Sequence, residues 1–310
     1  MARYGYLRRL EVAQPEPPRP PPLPPGRLVA VPGRGEMFVR EQPAIWPVGR
    51  PTILLLHGWT LCSDINWFAM YGGLARHGHV LAMDVRGHGR GIRSEERFTL
   101  EAAADDAAAL LDHLGIGTAV VVGYSMGGSI ALLLLRRHPD KVAGLVLQST
   151  ALQWRAAWHE RLAWSSMGGL EYLLRLGVHR GVIERYLRRA REQNPDVLAV
   201  LPWLKAEALR GDPADLADAG RALGAFDARP WAARIDVPTA VVVSRRDRLV
   251  LPARQRTLAE ALPGATTVEV DAGHNGWLVA PGVVCDALET ALGLVVAPPG
   301  LHQSAFGPLS

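Results

Sequence analysis

The stretch of residues 118–128, Thr-Ala-Val-Val-Val-Gly-Tyr-Ser-Met-Gly-Gly, constrains the fold more than any other part of the chain. Its first five residues are mostly β-branched and apolar, which is typical of a strand buried on both faces. A Gly-x-Ser-x-Gly turn centred on Ser125 follows, and the apolar helix formers of residues 129–137 come next. A strand that turns at once into a helix predicts a tight, strained backbone that holds the serine hydroxyl toward solvent.

A serine in this setting is a candidate nucleophile. Gly123 and Gly127 leave space at positions where side chains would clash across the turn. The amide N–H of Met126 lies near the N-terminus of the predicted helix, where partial positive charge accumulates, so Met126 is a candidate oxyanion donor. The alternative is an ordinary Gly-Ser turn, because Gly-x-Ser-x-Gly alone is a weak signal. The strand before it and the helix after it favour the catalytic interpretation.

Strands and helices alternate at short spacing on both sides of this stretch. A hairpin is predicted from residues 28–31 and 37–40, and Thr99 is the predicted N-cap of a helix over 100–114. Another helix is predicted over 67–76. A second fully buried strand is predicted at residues 52–56, and further strands are predicted at residues 80–83, 142–147, 239–243 and 266–270. This alternation indicates βαβ units, so we predict an α/β fold with a mostly parallel sheet flanked by helices.

The alternation is interrupted between residues 151 and 225, which carry only helical patterns. We predict that residues 151–225 form a helical cap inserted into a core of residues 27–150 and 226–295. A proline-rich N-terminal arm (residues 1–26) and a C-terminal tail (residues 296–310) flank the core. Four tryptophans fall in the insertion: Trp154, Trp158, Trp164 and Trp203. Trp154 and Trp158 are candidate substrate-binding residues, and anchoring of the cap to the sheet is the alternative role for each indole.

A serine nucleophile needs a base, and the base needs an acid to orient it. His274 follows the final predicted strand in a Gly-bounded loop, where ligand sites of parallel sheets collect, so it is the candidate base. Asp247 follows the preceding strand and is the candidate acid. The alternatives are a surface imidazole and a solvated turn aspartate. Asp271 is the competing candidate, but it lies at the end of the strand that precedes His274. From that position we do not expect its carboxylate to reach the ring nitrogen that faces away from Ser125.

The second oxyanion donor is predicted at the amide of Trp59, which follows the buried strand at residues 52–56 and the His57-Gly58 pair. We expect His57 to brace this loop by hydrogen bonds. His88 is a minor alternative to His274 as the base. Cys62 has no evident paired base, which argues against a thiol nucleophile.

Composition excludes several other classes of protein. The net charge is +4 and the basic residues are spread through the chain, so we discount nucleic-acid binding despite a pI near 9.4. Two distant cysteines suggest no disulfide framework and no metal cluster. No apolar run reaches the ~18–20 residues of a membrane span, and the first residues lack the pattern of a secretory signal. We therefore expect a cytoplasmic protein without membrane insertion.

The motifs quoted so far resemble those of the α/β-hydrolase fold family, from about residue 28 to residue 292. The matching segments are His57-Gly-Trp59, Asp84-Val-Arg-Gly-His-Gly89, Gly123-Tyr-Ser-Met-Gly-Gly128, Asp247 and Gly273-His274. The chain is similar to bacterial esterases, lactonases and cofactor-free perhydrolases, and the order Ser, Asp, His fits the family. The related dehalogenases and epoxide hydrolases carry Asp at the nucleophile position, so Ser125 argues against both.

The resemblance implies a serine hydrolase that cleaves a carboxylic ester, a thioester or a lactone through an acyl-enzyme, without a metal or an organic cofactor. A small, apolar acyl compound is the expected substrate. Hydrolysis of a carbon–carbon bond and acyl transfer use the same triad and stay open as alternatives. A ligand receptor or scaffold with the same fold is the alternative of another class.

Overall fold

The computed structural model describes residues 18–46, 49–155 and 178–296, and eight strands in this part of the chain form one sheet. In chain order the strands are β1 (Gly26–Val31), β2 (Gly35–Gln42), β3 (Thr52–Leu56), β4 (His79–Met83), β5 (Ala119–Tyr124), β6 (Val142–Gln148), β7 (Thr239–Ser244) and β8 (Thr266–Val270). Their spatial order is β1-β2-β4-β3-β5-β6-β7-β8. The first two pairings are antiparallel and the other five are parallel, so the predicted hairpin and the predicted mostly parallel sheet are confirmed.

Helices connect the strands and cover the sheet. In the described residues they are α1 (Ser63–Trp67), α2 (Tyr71–Leu74), α3 (Leu100–His113), α4 (Met126–Arg137), α5 (Val178–Gln193), α6 (Leu201–Ala208), α7 (Pro213–Ala225), α8 (Pro252–Ala261), α9 (Gly276–Val279) and α10 (Pro281–Val296). Single 3-10 turns lie at Pro139–Lys141, Pro195–Ala199 and Ala232–Arg234. In this part of the chain no helix combines the length and apolarity that crossing a membrane requires.

Helix boundaries follow the local sequence signals. The prediction that Thr99 caps a helix is confirmed, because its side chain accepts a hydrogen bond from the Ala102 amide at 3.0 Å. The single helix predicted over residues 67–76 is wrong, since α1 already ends at Trp67 and only Tyr71–Leu74 (α2) is helical in the rest of that range. The Gly72-Gly73 pair lowers helix propensity there. Gly73 is nonetheless required for packing, because a Cβ at this position would lie 2.4 Å from the Cys285 sulfur of α10.

The sheet is buried on both faces by two apolar cores. Alternate residues of β3 and β5 point to opposite cores, as the period of a strand requires. Leu54 and Val121 lie in one core, whereas Leu55 and Val122 lie in the other. The continuous apolar runs of the sequence are therefore explained by burial on both faces.

The described part of the segment between β6 and β7 is helical and contacts loops at the carboxyl end of the sheet. The Trp59 Nε1–H donates to the Leu216 carbonyl of α7 at 2.8 Å. Arg90 forms an ion pair with Glu207 of α6 at 2.8 Å. Trp158 and Trp164 lie outside the described residues, as do residues 1–17 of the predicted arm and residues 297–310 of the predicted tail. The predicted limits of the cap stay a prediction.

Candidate active site

Ser125 lies at the junction of β5 and α4, in a backbone conformation that an L-residue rarely adopts. Its φ is 54° and its ψ is −115°. The Ser125 amide donates to the Gln148 carbonyl of β6 at 2.9 Å, and the Ser125 carbonyl accepts from the Gly128 amide at 3.0 Å. Such a conformation costs about 1–3 kcal/mol and persists only where the surroundings impose it. Here the two backbone hydrogen bonds and the flanking elements impose it.

The glycines around Ser125 are required by close backbone contact. A Cβ on Gly123 would lie 2.5 Å from the Gly127 carbonyl oxygen. A Cβ on Gly127 would lie 2.0 Å from the carbonyl oxygen of Leu56, at the end of β3. Any side chain at these two positions would push α4 away from the sheet and displace the serine.

His274 and Asp247 meet at the carboxyl end of the sheet. His274 lies in the loop after β8, and Asp247 lies in the loop after β7. The His274 Nδ1–H donates to Asp247 Oδ2 at 2.7 Å. The aspartate side chain is fully buried, whereas the histidine side chain keeps 20% of its surface exposed. A carboxylate on Nδ1 leaves Nε2 as the nitrogen that can accept a proton.

The nucleophile strand also holds the histidine loop. The hydroxyl of Tyr124, the residue before Ser125, donates to the backbone carbonyl of His274. The Tyr124 and His274 rings lie 5.2 Å apart between centroids. In the described residues no hydrogen bond joins the Ser125 hydroxyl to the His274 ring. Catalytic hydrogen bonds often form only with substrate present.

The Asp247 carboxylate accepts several hydrogen bonds besides the one from His274. Its Oδ1 accepts from the amides of Leu249 at 2.8 Å and Val250 at 2.9 Å. Its Oδ2 also accepts from Gln255 Nε2 at 3.2 Å. Donors of this kind fix the orientation of a buried carboxylate.

Asp271, the competing acid, has different partners. Its carboxylate binds the guanidinium of Arg246, with one contact of 2.7 Å, and lies 3.4 Å from Arg245. Arg246 lowers the pKa of Asp271. In the described part of the chain Asp271 forms no hydrogen bond with His274, so the geometry favours Asp247 as the orienting acid.

The loop after β3 lies against the nucleophile. A Cβ placed on Gly58 would lie 3.4 Å from the Ser125 Cβ. The Gly58 amide donates to Asn66 Oδ1 at 3.0 Å, so it is already engaged, and the next amide in the chain is that of Trp59. Met126 is the first residue of α4, and the first N–H groups of a helix have no acceptor within the helix. The assignment of the Trp59 and Met126 amides as oxyanion donors stays a prediction.

The two other histidines of these loops are fully buried. His57 accepts from the Val85 amide at Nε2 and donates from Nδ1 to the Gly58 carbonyl, both at 2.9 Å. Burial lowers the pKa of His57 to about 4 and that of His88 to about 3. Burial also raises the pKa of the Cys62 thiol. These environments favour neutral, structural groups, as the sequence led us to expect for His57 and Cys62.

The described tryptophans of the insertion are buried. The Trp154 Nε1–H donates to the Ser129 hydroxyl of α4 at 3.0 Å. Trp203 packs edge-on against Phe68, with ring centroids 5.8 Å apart. Both placements favour the anchoring alternative for these two indoles. The candidate substrate-binding residue Trp158 lies outside the described residues.

Three residues of this site were not predicted from the sequence. Tyr124 lies inside the Gly-x-Ser-x-Gly motif, so its position is a signal, but the motif does not indicate that its hydroxyl reaches the His274 loop. Asn66 and Gln255 carry no sequence signal. Asn66 follows the Trp59 loop in α1, and Gln255 comes eight residues after Asp247 in α8. Only the folded chain brings the Asn66 side-chain amide to the Gly58-Trp59 loop and the Gln255 side-chain amide to Asp247.

A strained serine after the fifth strand, with Asp and His on the loops after the seventh and eighth, is the arrangement of hydrolases built on this sheet. A family model described as "alpha/beta hydrolase fold" matches residues 51–281, and the chain belongs to this family. The predictions of an α/β-hydrolase fold and of a hydrolase are confirmed.

Curated relatives and solved structures agree with this class. The chain is 34% identical to a pimeloyl-[acyl-carrier protein] methyl ester esterase of Chromobacterium violaceum. The aligned 233 residues cover 74% of this chain and 89% of the relative. It is similar in structure to a thermophilic esterase of Thermogutta terrifontis, with a TM-score of 0.72 at 26% identity, over 88% of this chain and all of the other. The enol-lactonase of Burkholderia xenovorans LB400 gives a TM-score of 0.68 at 27% identity, over 86% and 99% of the two chains.

Proposed function

We propose that the chain hydrolyses carboxylic esters with Ser125 as nucleophile, His274 as general base and Asp247 as the residue that orients the base. The observation that carries this proposal is the 2.7 Å hydrogen bond between His274 Nδ1 and the buried Asp247. It lies at the same edge of the sheet as the strained serine, and the Tyr124 hydroxyl links the two. An imidazole held in this way has Nε2 available for the proton of the serine.

The reaction follows from these positions. His274 Nε2 takes the Ser125 proton while the serine oxygen attacks the acyl carbon, and the amides of Trp59 and Met126 stabilise the negative oxygen. The protonated imidazole gives its proton to the leaving alcohol, and an acyl-serine remains. Water then loses a proton to His274 and attacks the acyl carbon. The acyl–serine bond breaks while the imidazolium returns its proton to the Ser125 oxygen, and the acid is released. Besides substrate and water, each step uses only side chains and backbone groups of the chain.

The acyl group is proposed to be apolar, because the described part of the insertion packs buried aromatic and aliphatic side chains into the core that also contains Tyr124. Trp203 and Leu204 of α6 are buried in the same core as Tyr124. Carbon–carbon bond hydrolysis and acyl transfer use the same triad, and no contact in the described residues favours either of them.

The natural substrate is proposed to be a methyl ester attached to an acyl carrier protein, the kind of substrate that the names of two similar curated relatives give for those proteins. Helix α5 supports this choice. Arg185, Arg188 and Arg191 are exposed at a spacing of three residues, and no ion pair with another described residue engages them. Residues spaced in this way lie on adjoining turns of a helix and present positive charge to a negatively charged partner.

A fluorophosphonate probe tests the nucleophile. Wild type should be labelled and should hydrolyse an aryl ester, whereas Ser125→Ala should do neither. Ser129→Ala is the matched control, because Ser129 is a buried serine of the adjoining helix and should keep the label. Labelling of folded Ser125→Ala at the wild-type rate would overturn the proposal.

Substrate choice is tested by two esters of the same acyl chain, one free and one attached to acyl carrier protein. Replacing Arg185, Arg188 and Arg191 together by Gln should raise KM for the carrier-bound methyl ester by about tenfold or more. The KM for the free ester should stay within twofold. An equal change for both esters would contradict the carrier proposal and leave the esterase proposal standing.

A further inference from the structure

Gln255 is a fully buried polar residue beside the candidate acid. It lies in α8, and its side chain has no exposed surface. The side-chain amide makes three hydrogen bonds. Its Oε1 accepts from the Ser244 amide at 2.9 Å, and its Nε2 donates to the Val250 carbonyl at 2.6 Å and to Asp247 Oδ2 at 3.2 Å.

The three partners allow one orientation of the amide. The Ser244 N–H is a donor and needs an acceptor, whereas the Val250 carbonyl and the Asp247 carboxylate are acceptors and need donors. If the amide were turned by 180°, Nε2 would face an N–H and Oε1 would face two oxygens. The end of β7 and the turn after Asp247 therefore hold the Gln255 N–H on the carboxylate.

We propose that Gln255 is a positioning residue for the reaction, which fixes the Asp247 carboxylate so that Oδ2 faces the His274 ring. This inference rests on the proposed function. Oδ2 is the atom that accepts from His274, and it accepts from Gln255 as well. The Leu249 and Val250 amides hold the other oxygen. Among the described residues, Gln255 is thus the other side chain that donates to the Asp247 oxygen bound by the imidazole.

Sharing Oδ2 between two donors also sets how strongly the aspartate stabilises a protonated ring. A donor withdraws negative charge from the carboxylate oxygen. Without Gln255, more of this charge faces His274, so the protonated imidazole persists to higher pH. Since the base must be neutral to accept the serine proton, the acid limb of the kcat/KM profile should move upward.

Three of the charged side chains near this pair have partners of their own, and the fourth, Arg248, is exposed and forms no ion pair with another described residue. On the acid loop Arg245 and Arg246 bind Asp271, which precedes the histidine loop. On α8 Arg254 donates to the Gln153 carbonyl. In the described part of the chain none of these groups bonds to Asp247 or His274. A shift of the profile on substitution of Gln255 would therefore report on the amide.

Two substitutions test the proposal through pH profiles. Gln255→Met keeps the length and removes the donor. It should lower kcat about 3–10-fold with KM within twofold, and it should move the acid limb up by about 0.5 pH unit. Gln255→Leu removes the donor to Oδ2 as well as the acceptor of the Ser244 amide. Because Asp247 loses the same donor in both variants, the acid limb of Gln255→Leu should also move up by about 0.5 pH unit.

A control separates positioning from loss of a buried hydrogen bond. Thr239→Val removes the bond from the Thr239 hydroxyl to the Val237 carbonyl at the opposite end of β7. It should lower Tm and leave the pH profile unchanged. If both Gln255 variants lower Tm while their acid limbs coincide with that of wild type, Gln255 has only a structural role.

Asp247→Asn, measured in parallel, distinguishes failure of this inference from failure of the proposed function. A collapse of turnover in Asp247→Asn with unmoved profiles in the Gln255 variants would overturn the inference alone. Full turnover in Asp247→Asn would remove the acid assignment, and the positioning role of Gln255 would fail with it.

Discussion

His57 and His274 lie at the same edge of the sheet, each directly after a strand or within a few residues of one, yet their surroundings differ. His57 is fully buried and both ring nitrogens bond to the backbone. His274 bonds to a carboxylate through Nδ1 and keeps part of its side chain exposed. Burial without a charged partner disfavours the protonated ring, whereas a carboxylate favours it.

The comparison shows that position on the sheet does not decide the role of a histidine. Both residues follow the end of a parallel strand, where functional groups collect. The partner of Nδ1 makes the difference. A backbone carbonyl on Nδ1 and a donated N–H on Nε2 leave His57 no free nitrogen. The carboxylate on His274 leaves Nε2 for the reaction.

Substitution of each histidine tests this difference between His57 and His274, and the largest effect on kcat is expected for His274→Ala. Removal of the base should lower kcat by about 10⁶, because the serine then lacks a proton acceptor and triad members act as a unit. Steady-state hydrolysis of an aryl ester measures it, with circular dichroism to verify the fold. Turnover within tenfold of wild type would mean that another group is the base, and His57 would be the first to examine.

The next effect concerns the partner of Nδ1. Asp247→Asn should lower kcat by about 10⁴, since the amide favours the wrong imidazole tautomer while nucleophile and oxyanion donors remain. Asp271→Asn is the matched variant and should stay within about tenfold of wild type, because Asp271 binds Arg246 and Arg245. The reverse ranking of the two variants would show that the acid is misassigned.

His57→Leu should act mainly on stability. The substitution leaves the buried Val85 amide without its acceptor, which costs about 1–3 kcal/mol in the free energy of unfolding. Urea unfolding at neutral pH measures the loss. The acid limb of residual activity should keep its wild-type position. A limb that moved, or a loss of kcat near that of His274→Ala, would place His57 in proton transfer.

A smaller effect is expected in the pH dependence of stability. Burial lowers the pKa of His57 from 6.5 to about 4, so between these values the unfolded chain binds a proton that the folded chain does not. The contribution of His57 to the free energy of unfolding therefore falls as pH drops through this window, by up to about 1.4 kcal/mol per pH unit. The difference in the free energy of unfolding between wild type and His57→Leu should therefore become smaller as the pH is lowered from 6.5 toward 4. A difference in the free energy of unfolding between wild type and His57→Leu that stays constant with pH would contradict a neutral buried ring.

The smallest effect is expected on chelation. Dialysis against EDTA should leave kcat/KM within twofold, because the proposed reaction uses only side chains and amides. In the described residues no three His, Cys, Asp or Glu side chains are grouped to hold a metal ion. A loss of activity that a divalent cation restores would contradict a reaction that needs no metal ion.

The central strands were predictable because burial on both faces leaves continuous apolar runs, and the strand at residues 52–56 occurs with the predicted bounds. The edge strand at residues 266–270 also occurs with its predicted bounds, although Val270 is the one residue of this strand that is buried. The pairing of α1 and α2 was not predictable, because short helices are decided by packing and glycine content rather than by pattern. Thr99, in contrast, was identified as a cap because capping is a local interaction.

The candidate site also contains residues that could be predicted from the sequence and residues that could not. Ser125, His274 and Asp247 each follow a strand, so topology was enough to choose them. The choice between Asp247 and Asp271 depended on the direction from which a carboxylate reaches the ring. Gln255 and Asn66 could not be found, because their roles depend on amide hydrogen bonds made across the fold.

The strained backbone of Ser125 has a consequence for how such a chain can change over generations. Glycine adopts a positive φ without cost, so Ser125→Gly would relieve strain and could raise the stability of the fold while abolishing the proposed activity. Selection for a robust scaffold and selection for a nucleophile therefore oppose each other at one position. A descendant that is no longer selected for ester hydrolysis would gain stability from Ser125→Gly, the mutation that removes its nucleophile.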